Sequence, residues 1–547
     1  MSSSPSSAST SQPCAAETGG TVAVREENAK LRSKLKEYKS RLLTAERSLS
    51  LTSAYSSRTP AHPETDELLE LCSTPSDASG RLVIVVFGAS GDLAKKKTFP
   101  ALFRIWQRGF LPAGTAIVGY ARSQMGVEQF QKQVTQYIKA AGEEIGRFLE
   151  HCTYVAGPYN DLGGLDQWFV REQEREAVGV RVFYLALPPS VFPETLAAVK
   201  RDVHDKGVIN RVVIEKPFGH DSMSSADLQQ KVGSLFSEEE VYRIDHYLGK
   251  EMVQNMMVFR FANSIWEPLW NRNFIDCVVI SFKEDFGTEG RAGYFDSFGI
   301  IRDVMQNHLL QILSIIAMEH PVTLSAEDIR NEKVKVLRAI PPVSLVDTVI
   351  GQYGASPDGK LPAYKDEEGV PEGSTTPTFA TCCFRINNPR WEGVPFILKC
   401  GKGLNERKAE VRVQFKAPPG NLFGNLIRNE LVKRIQPDEA VYLKVATKKP
   451  GLSGELQQTT LDLTYKSRFD LSEPLPDAYE RLILDVMRGD HSLFVRNDEL
   501  EVAWSIFTPL LHTLEQQKIP PIIYTQGTRG PEESDEFIRH MGLVDLQ

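Results

Sequence analysis

Eight consecutive residues, Arg243-Ile244-Asp245-His246-Tyr247-Leu248-Gly249-Lys250, crowd two cations, a carboxylate, an imidazole and a phenol together. His246 and Lys250 are four apart, so on a helix they would share a face. Tyr247 can donate a hydroxyl beside them. Such a face at a helix start cradles a phosphate. The same residues also fit a surface helix of mixed charge. A second imidazole, His308, falls on the apolar stripe formed by Ile301, Val304 and Ile312. There it serves either as a satisfied core histidine or as a base. A base for alcohol oxidation must be neutral near pH 7 and held in one tautomer, and a nearby carboxylate would meet the second need. Lys216, in Ile214-Glu215-Lys216-Pro217-Phe218-Gly219, directly follows a strand pattern. Loops at strand carboxyl ends are where α/β sheets bind ligands; a surface lysine is the alternative. The cation- and glycine-rich Cys400-Gly401-Lys402-Gly403 and Asn405-Glu406-Arg407-Lys408 read only as loops.

Gly88-Ala89-Ser90-Gly91 stands between an apolar run and a helical pattern. Glycine lets a phosphate approach the backbone, and the free amides at the helix start hold its charge. With two glycines and not three, the motif also fits a tight turn without ligand. The next strand pattern ends in Tyr120-Ala121-Arg122-Ser123. NAD sites usually carry an acid there, to hold the ribose hydroxyl. An Arg instead would pair with a 2′-phosphate, which favours NADP.

The elements that must position these groups are legible in outline. Residues 82–87 form a continuous Val- and Ile-rich run, as expected for a strand buried on both faces. Helical spacing follows over 95–108, then strand patterns at 116–120, 182–187 and 212–214. This alternation predicts a Rossmann-like α/β domain over 79–245. Beyond it, helices are expected over 251–261 and 301–316, with strands at 276–282, 378–386, 411–415 and 440–445. That grouping predicts a larger α+β domain over 246–547 with a mostly antiparallel sheet. Residues 356–376 read as an exposed loop. The Ser-rich start of the 1–78 extension suggests disorder, and it is also compatible with a plastid transit segment. Within it, Val24, Leu31, Leu35, Tyr38, Leu42, Ala45 and Leu49, with Asn28, follow a short heptad over 24–49. A coiled coil, a lone amphipathic helix and a charge-rich tail all fit.

Composition narrows the function classes. The chain has 547 residues and a formal net charge of -8, which argues against a general nucleic-acid surface. No apolar run reaches the roughly 18 residues that span a bilayer. Seven cysteines without a CxxC pair point to reduced thiols in a cytoplasmic protein, and to no metal site.

Taken in order, several segments resemble the glucose-6-phosphate dehydrogenase family. They are Gly88-Ala89-Ser90-Gly91-Asp92-Leu93-Ala94-Lys95, Glu215-Lys216-Pro217-Phe218-Gly219, the 243–250 motif, Phe286-Gly287-Thr288-Glu289-Gly290-Arg291, Ile301-Arg302-Asp303-Val304-Met305-Gln306-Asn307-His308 and Leu404-Asn405-Glu406-Arg407-Lys408-Ala409-Glu410. The resemblance spans about residues 80–543. It implies oxidation of glucose 6-phosphate to 6-phosphogluconolactone with NADP as cofactor, in a homodimer or homotetramer. It implies that Gly88, Ala89, Ser90, Gly91, Asp92, Leu93, Ala94 and Lys95 hold the cofactor pyrophosphate region, with Lys216 nearby and Arg122 at the 2′-phosphate. His246, Tyr247 and Lys250 would bind the sugar phosphate. Lys216, Glu284, Asp303, Lys402 and Arg407 would position the sugar, and His308 would be the base, held by Asp245. Other NADP-linked hexose-phosphate dehydrogenases and a non-catalytic NADP-binding scaffold are the competing readings. Two departures stand out. Phe192 replaces a Tyr found near the nicotinamide in many relatives. Lys399, Lys408, Arg412, Arg434, Tyr442, Lys444, Asp462, Thr464 and Arg529 match parts of a second, structural NADP site. Asp545 falls where an aromatic would stack there, so a second NADP is expected to be weak or absent.

Overall fold

The computed structural model describes residues 81–541, apart from 174–176, 289, 421, 424–426 and 470–473. The heptad over 24–49, the rest of the extension and Asp545 lie outside the described residues.

Six parallel strands make the first sheet: β1 (Arg81–Phe87), β2 (Ala116–Ala121), β3 (Cys152–Ala156), β4 (Val178–Leu185), β5 (Ile209–Glu215) and β6 (Val241–Ile244). Their order is β3-β2-β1-β4-β5-β6. Side chains along β1 alternate between two cores. Leu82, Ile84 and Val86 face Phe99, Leu102 and Phe103, whereas Val83, Val85 and Phe87 face Phe183, Leu185 and Phe192. Burial of each such side chain stabilises the fold by roughly 1.5–3 kcal/mol. This two-sided packing explains why β1 reads as an unbroken apolar run. Strand order reverses between β1 and β4, and a crevice opens at the carboxyl ends there. Gly88, Lys216 and Asp245 are the first residues after β1, β5 and β6 respectively, so all three stand along that edge.

The second sheet has nine strands: β7 (Ile275–Lys283), β8 (Thr348–Tyr353), β9 (Phe379–Phe384), β10 (Phe396–Gly401), β11 (Lys408–Phe415), β12 (Glu430–Gln436), β13 (Ala440–Lys448), β14 (Leu456–Thr464) and β15 (Ile522–Tyr524). Only the β7–β10 and β8–β15 pairs are parallel. The architecture is therefore the expected one, a Rossmann-like sheet followed by a mostly antiparallel sheet.

Three local departures have physical causes. First, residues 246–250 are not helical. Successive turns join Leu248 N to Asp245 O, Gly249 N to His246 O and Lys250 N to Tyr247 O, and the helix begins at Glu251. The Asp245 carboxylate takes the Tyr247 amide at 3.0 Å, which competes with helical bonding. Gly249 lies so close to the next element that a Cβ would sit 2.4 Å from the Ala478 carbonyl. Second, the helix expected over 301–316 is a wide, π-helical coil over Ile301–Leu309 that tightens to an α-helix over Leu310–Ala317. Such wide turns recur at functional sites. Third, the 356–376 loop is exposed along most of its length but anchored by fully buried Tyr364, whose hydroxyl donates to Asp296 at 2.8 Å.

Late in the chain, helix Ala478–Arg488 returns to the first sheet. Tyr479, Leu482, Ile483 and Val486 join the core that contains Leu82 and Ile84. Among the described residues, no helix is long and apolar enough to cross a membrane.

Candidate active site

His308 and Asp245 meet in a fully enclosed pair. The His308 Nδ1 lies 2.5 Å from Asp245 Oδ1, and the two side chains are only 3% and 2% exposed. Asp245 Oδ1 also accepts the Tyr247 amide. Burial alone would push the Asp245 carboxyl up. The His308 ring, that amide and the Lys216 charge outweigh it and hold the carboxyl below its usual range. Burial holds His308 below the ordinary imidazole range, against the opposing pull of Asp245. The pair is thus an anion beside a neutral ring. With Nδ1–H donating to the carboxylate, Nε2 is left as the free basic nitrogen.

A cavity of about 270 Å³ opens against His308 and is lined in part by His246, Tyr247, Lys250, Arg407 and Glu284. The turns over 246–250 do what a helix face was expected to do, because they bring His246, Tyr247 and Lys250 to one wall. The Tyr247 hydroxyl is buried with no hydrogen-bond partner. Burial depresses the Lys250 ammonium. His246 is held well below its usual range by burial, then by neighbouring His308, Lys216 and Lys250. Arg407 is exposed at the rim. A dianion placed here would meet a free hydroxyl and cations whose charge burial now penalises.

A larger cavity, about 840 Å³, adjoins the first and shares Lys97, Lys216, His246, Glu284, Asp303 and Tyr479 with it. Lys216 Nζ donates to the Asp303 carbonyl at 2.7 Å and lies 3.4 Å from its Oδ1. Lys402 Nζ donates to Glu284 Oε2 at 2.6 Å and stands 3.8 Å from Asp303 Oδ2. Burial would raise the Asp303 carboxyl, but Lys216 and Lys402 hold it below its usual range. Lys216, Glu284, Asp303 and Lys402 therefore form one chain of alternating charge between the cavities, able to hydrogen-bond several hydroxyls of a sugar.

The Gly88–Gly91 turn borders the larger cavity through Asp92 and Leu93. Gly88 has φ +75°, and a Cβ there would lie 2.3 Å from the Ala186 carbonyl, so only glycine fits. The amides of Gly88 and Ala89 donate to the Tyr120 carbonyl and that of Gly91 to the Gly88 carbonyl, whereas first-turn amides such as those of Asp92 and Leu93 have no intrahelical partner and stand free for an anion. The side chains differ in their placement. Asp92 is exposed and pairs with Lys96 at 2.9 Å, Lys95 is half-buried, and Ala89 and Ala94 are packed in the core, so only their backbone can serve a ligand. Ser90 Oγ lies 3.2 Å from Ser123 Oγ. Arg122 is exposed after β2, with its guanidinium 5.5 Å from the Tyr159 ring centroid and no carboxylate within ion-pair distance among the described residues. The crevice thus suits a dinucleotide with a 2′-phosphate. Phe192 is fully buried in the core.

Among the cavity residues to which the sequence reading gave no role are Tyr479, Glu215 and Lys97. Glu215 ends β5 and accepts the Tyr184 hydroxyl at 2.5 Å; burial pushes its carboxyl up to about 7. Its place before Lys216 at a strand end was a usable signal. Tyr479 had none, because it arrives through tertiary packing. Asp245, His246 and His308 offer ligand atoms within 4.8 Å of one another. The close contact between His308 Nδ1 and Asp245 leaves no room for an ion between them. Several cations matched to a second nucleotide site are engaged by acids: Arg412 with Glu410 and Glu430 and Lys444 with Glu430 on the second sheet, and Lys399 with Asp535 on the helix Glu532–His540.

Comparisons with known proteins agree with this geometry. Residues 85–255 match the sequence model of the glucose-6-phosphate dehydrogenase NAD binding domain, and residues 257–544 match that of its C-terminal domain. The chain is 54% identical over 482 residues to glucose-6-phosphate 1-dehydrogenase of Dictyostelium discoideum, covering 87% of this chain and 97% of that protein. It is 50% identical over 490 residues to the Arabidopsis thaliana protein named glucose-6-phosphate 1-dehydrogenase 5, cytoplasmic, covering 86% and 93%. A solved glucose-6-phosphate dehydrogenase in complex with its substrate glucose 6-phosphate superposes with a TM-score of 0.82 at 48% identity, covering 85% of this chain and 98% of that one.

Proposed function

The chain belongs to the glucose-6-phosphate dehydrogenase family, and from that premise we propose that it oxidises glucose 6-phosphate to 6-phosphoglucono-1,5-lactone with NADP⁺, the first step of the oxidative pentose phosphate pathway. The observation that carries this reading is the enclosed His308–Asp245 pair, whose imidazole lines the smaller cavity beside the residues it shares with the larger one. His246, Tyr247 and Lys250 hold the 6-phosphate in the smaller cavity, with Arg407 at its rim. Lys216, Glu284, Asp303 and Lys402 fix the sugar hydroxyls. His308 Nε2 takes the proton from the hydroxyl on carbon 1. Asp245 offsets the charge that develops on the imidazolium. Bound NADP⁺ supplies the hydride acceptor for carbon 1. The amides of Gly88, Ala89 and Gly91 donate to backbone carbonyls, so those of Ser90, Asp92 and Leu93 would hold its pyrophosphate, and Arg122 would pair with its 2′-phosphate. The cytoplasmic name of the Arabidopsis relative supports a cytoplasmic setting. The family resemblance supports a homodimer or homotetramer built on the second sheet.

Initial rates of absorbance gain at 340 nm test the reaction. Turnover of glucose 6-phosphate with NADP⁺ is expected to exceed turnover with NAD⁺ or of free glucose. The Arg122→Gln variant is expected to lose about tenfold or more in kcat/KM for NADP⁺ and little for NAD⁺, the cost of one charge-assisted pair. Equal loss with both nucleotides would remove Arg122 from this role.

The pH dependence follows from the ring that must be neutral. Because His308 titrates below the usual imidazole value of about 6.5, kcat/KM is expected to be level through neutral pH. It should fall by one proton only on the acid side of that value. A limb centred above pH 7 would contradict the assignment of the base.

A further inference from the structure

Among the described residues, nothing hydrogen-bonds the His246 imidazole, so ring contacts alone set its orientation. Two of them are edge-on: His308 at 4.5 Å between centroids and 74°, and Tyr247 at 5.1 Å and 62°. Only Tyr479 is near-parallel to the ring, offset at 5.8 Å between centroids and 10°. Tyr479 is 8% exposed and lines both cavities. It is well braced. It is the second residue of helix Ala478–Arg488, where its amide donates to the Asp477 cap at 2.6 Å. The preceding carbonyl, of Ala478, presses on Gly249 in the turn that carries His246.

Resting on the reading of His246 as a phosphate ligand, we propose that Tyr479 is a positioning residue for the 6-phosphate. Its offset parallel contact borders one face of the His246 ring and aims the imidazole into the smaller cavity. Tyr479 thereby sets the preference for phosphorylated over free sugar. Among the described residues no hydrogen bond or ring contact joins it to the His308–Asp245 pair, and its ring contact is with His246, so its effect is expected at the phosphate end. Offset ring contacts of this kind are worth about 0.5–1.5 kcal/mol. Misdirecting the imidazole loses a charge-assisted hydrogen bond in addition.

The test compares two sugars in one variant. In Tyr479→Leu, KM for glucose 6-phosphate is expected to rise about tenfold or more with kcat within a few-fold, while kcat/KM for glucose stays near wild type. Inorganic phosphate, as a competitive inhibitor, should weaken in parallel. Tyr479→Phe keeps the ring and should restore the phosphorylated-sugar KM. Should the Leu variant melt well below wild type, Tyr479→Met carries the same comparison with a longer apolar side chain. Equal losses for both sugars would mean a structural role, and unchanged KM would mean none; either overturns the proposal. Failure of the wild-type chain to oxidise glucose 6-phosphate would instead overturn the function itself.

Discussion

Replacing His308 with asparagine is expected to lower kcat by about 10²–10⁴-fold, the range measured when a general base is removed, while glucose 6-phosphate still binds. Asparagine is chosen because its amide can still donate to Asp245 Oδ1 and so leaves no orphaned carboxylate in a site only 2–3% exposed. What is lost is the free nitrogen facing the cavity. The phosphate wall of His246, Tyr247 and Lys250 is untouched, so the dissociation constant measured by calorimetry should change little. Turnover within tenfold of wild type would mean that another group takes the proton.

The second large effect concerns Asp245→Asn. Asp245 Oδ1 takes both the His308 ring and the Tyr247 amide, whereas Oδ2 is buried with no partner. An asparagine oxygen at the Oδ1 position preserves both bonds and the ring tautomer, and its amide group falls where Oδ2 now lies. The substitution therefore isolates the negative charge. Without it, the developing imidazolium has no counter-charge, and kcat is expected to fall by up to about 10²–10⁴-fold, the range that general-base catalysis supplies as a whole. Two further readouts separate this from a misfolded site. Any residual activity should have its acid limb displaced to lower pH, because the carboxylate that raised the His308 value is gone. Because Oδ2 is already buried without a partner, an amide there exchanges one unpaired group for another, and the melting temperature should stay near wild type. A kcat within tenfold of wild type would show that the charge does not matter.

Much of the site could be read from the chain because its groups sit at strand ends. Gly88 and Lys216 each follow an apolar strand pattern directly, and parallel order places such residues along one edge; Asp245 joins them after β6, a four-residue strand too short to be read from the chain. His308 was visible only as a polar interruption of a helical stripe, and nothing local told a base from a core residue. The 246–250 segment carries helix-compatible spacing, yet the Asp245 side chain and the Ala478 carbonyl, 229 residues after Gly249, impose turns instead. Tyr479 was illegible for the same reason. Strand β14 was also missed: Leu461 and Leu463 are both exposed along a polar strand, so the alternation that marks a half-buried strand is absent.

One arrangement ties the hydroxyl-binding and proton-taking ends together. Lys216 and Asp245 leave the paired strands β5 and β6 at nearly the same level, and each grips the same wide coil, Lys216 at Asp303 and Asp245 at His308. Held at two points five residues apart, that coil can neither roll nor slide without loosening both grips. Sugar alignment and base alignment thus share a single mooring, and a substitution that shifts the coil should degrade substrate affinity and turnover in proportion, never one alone.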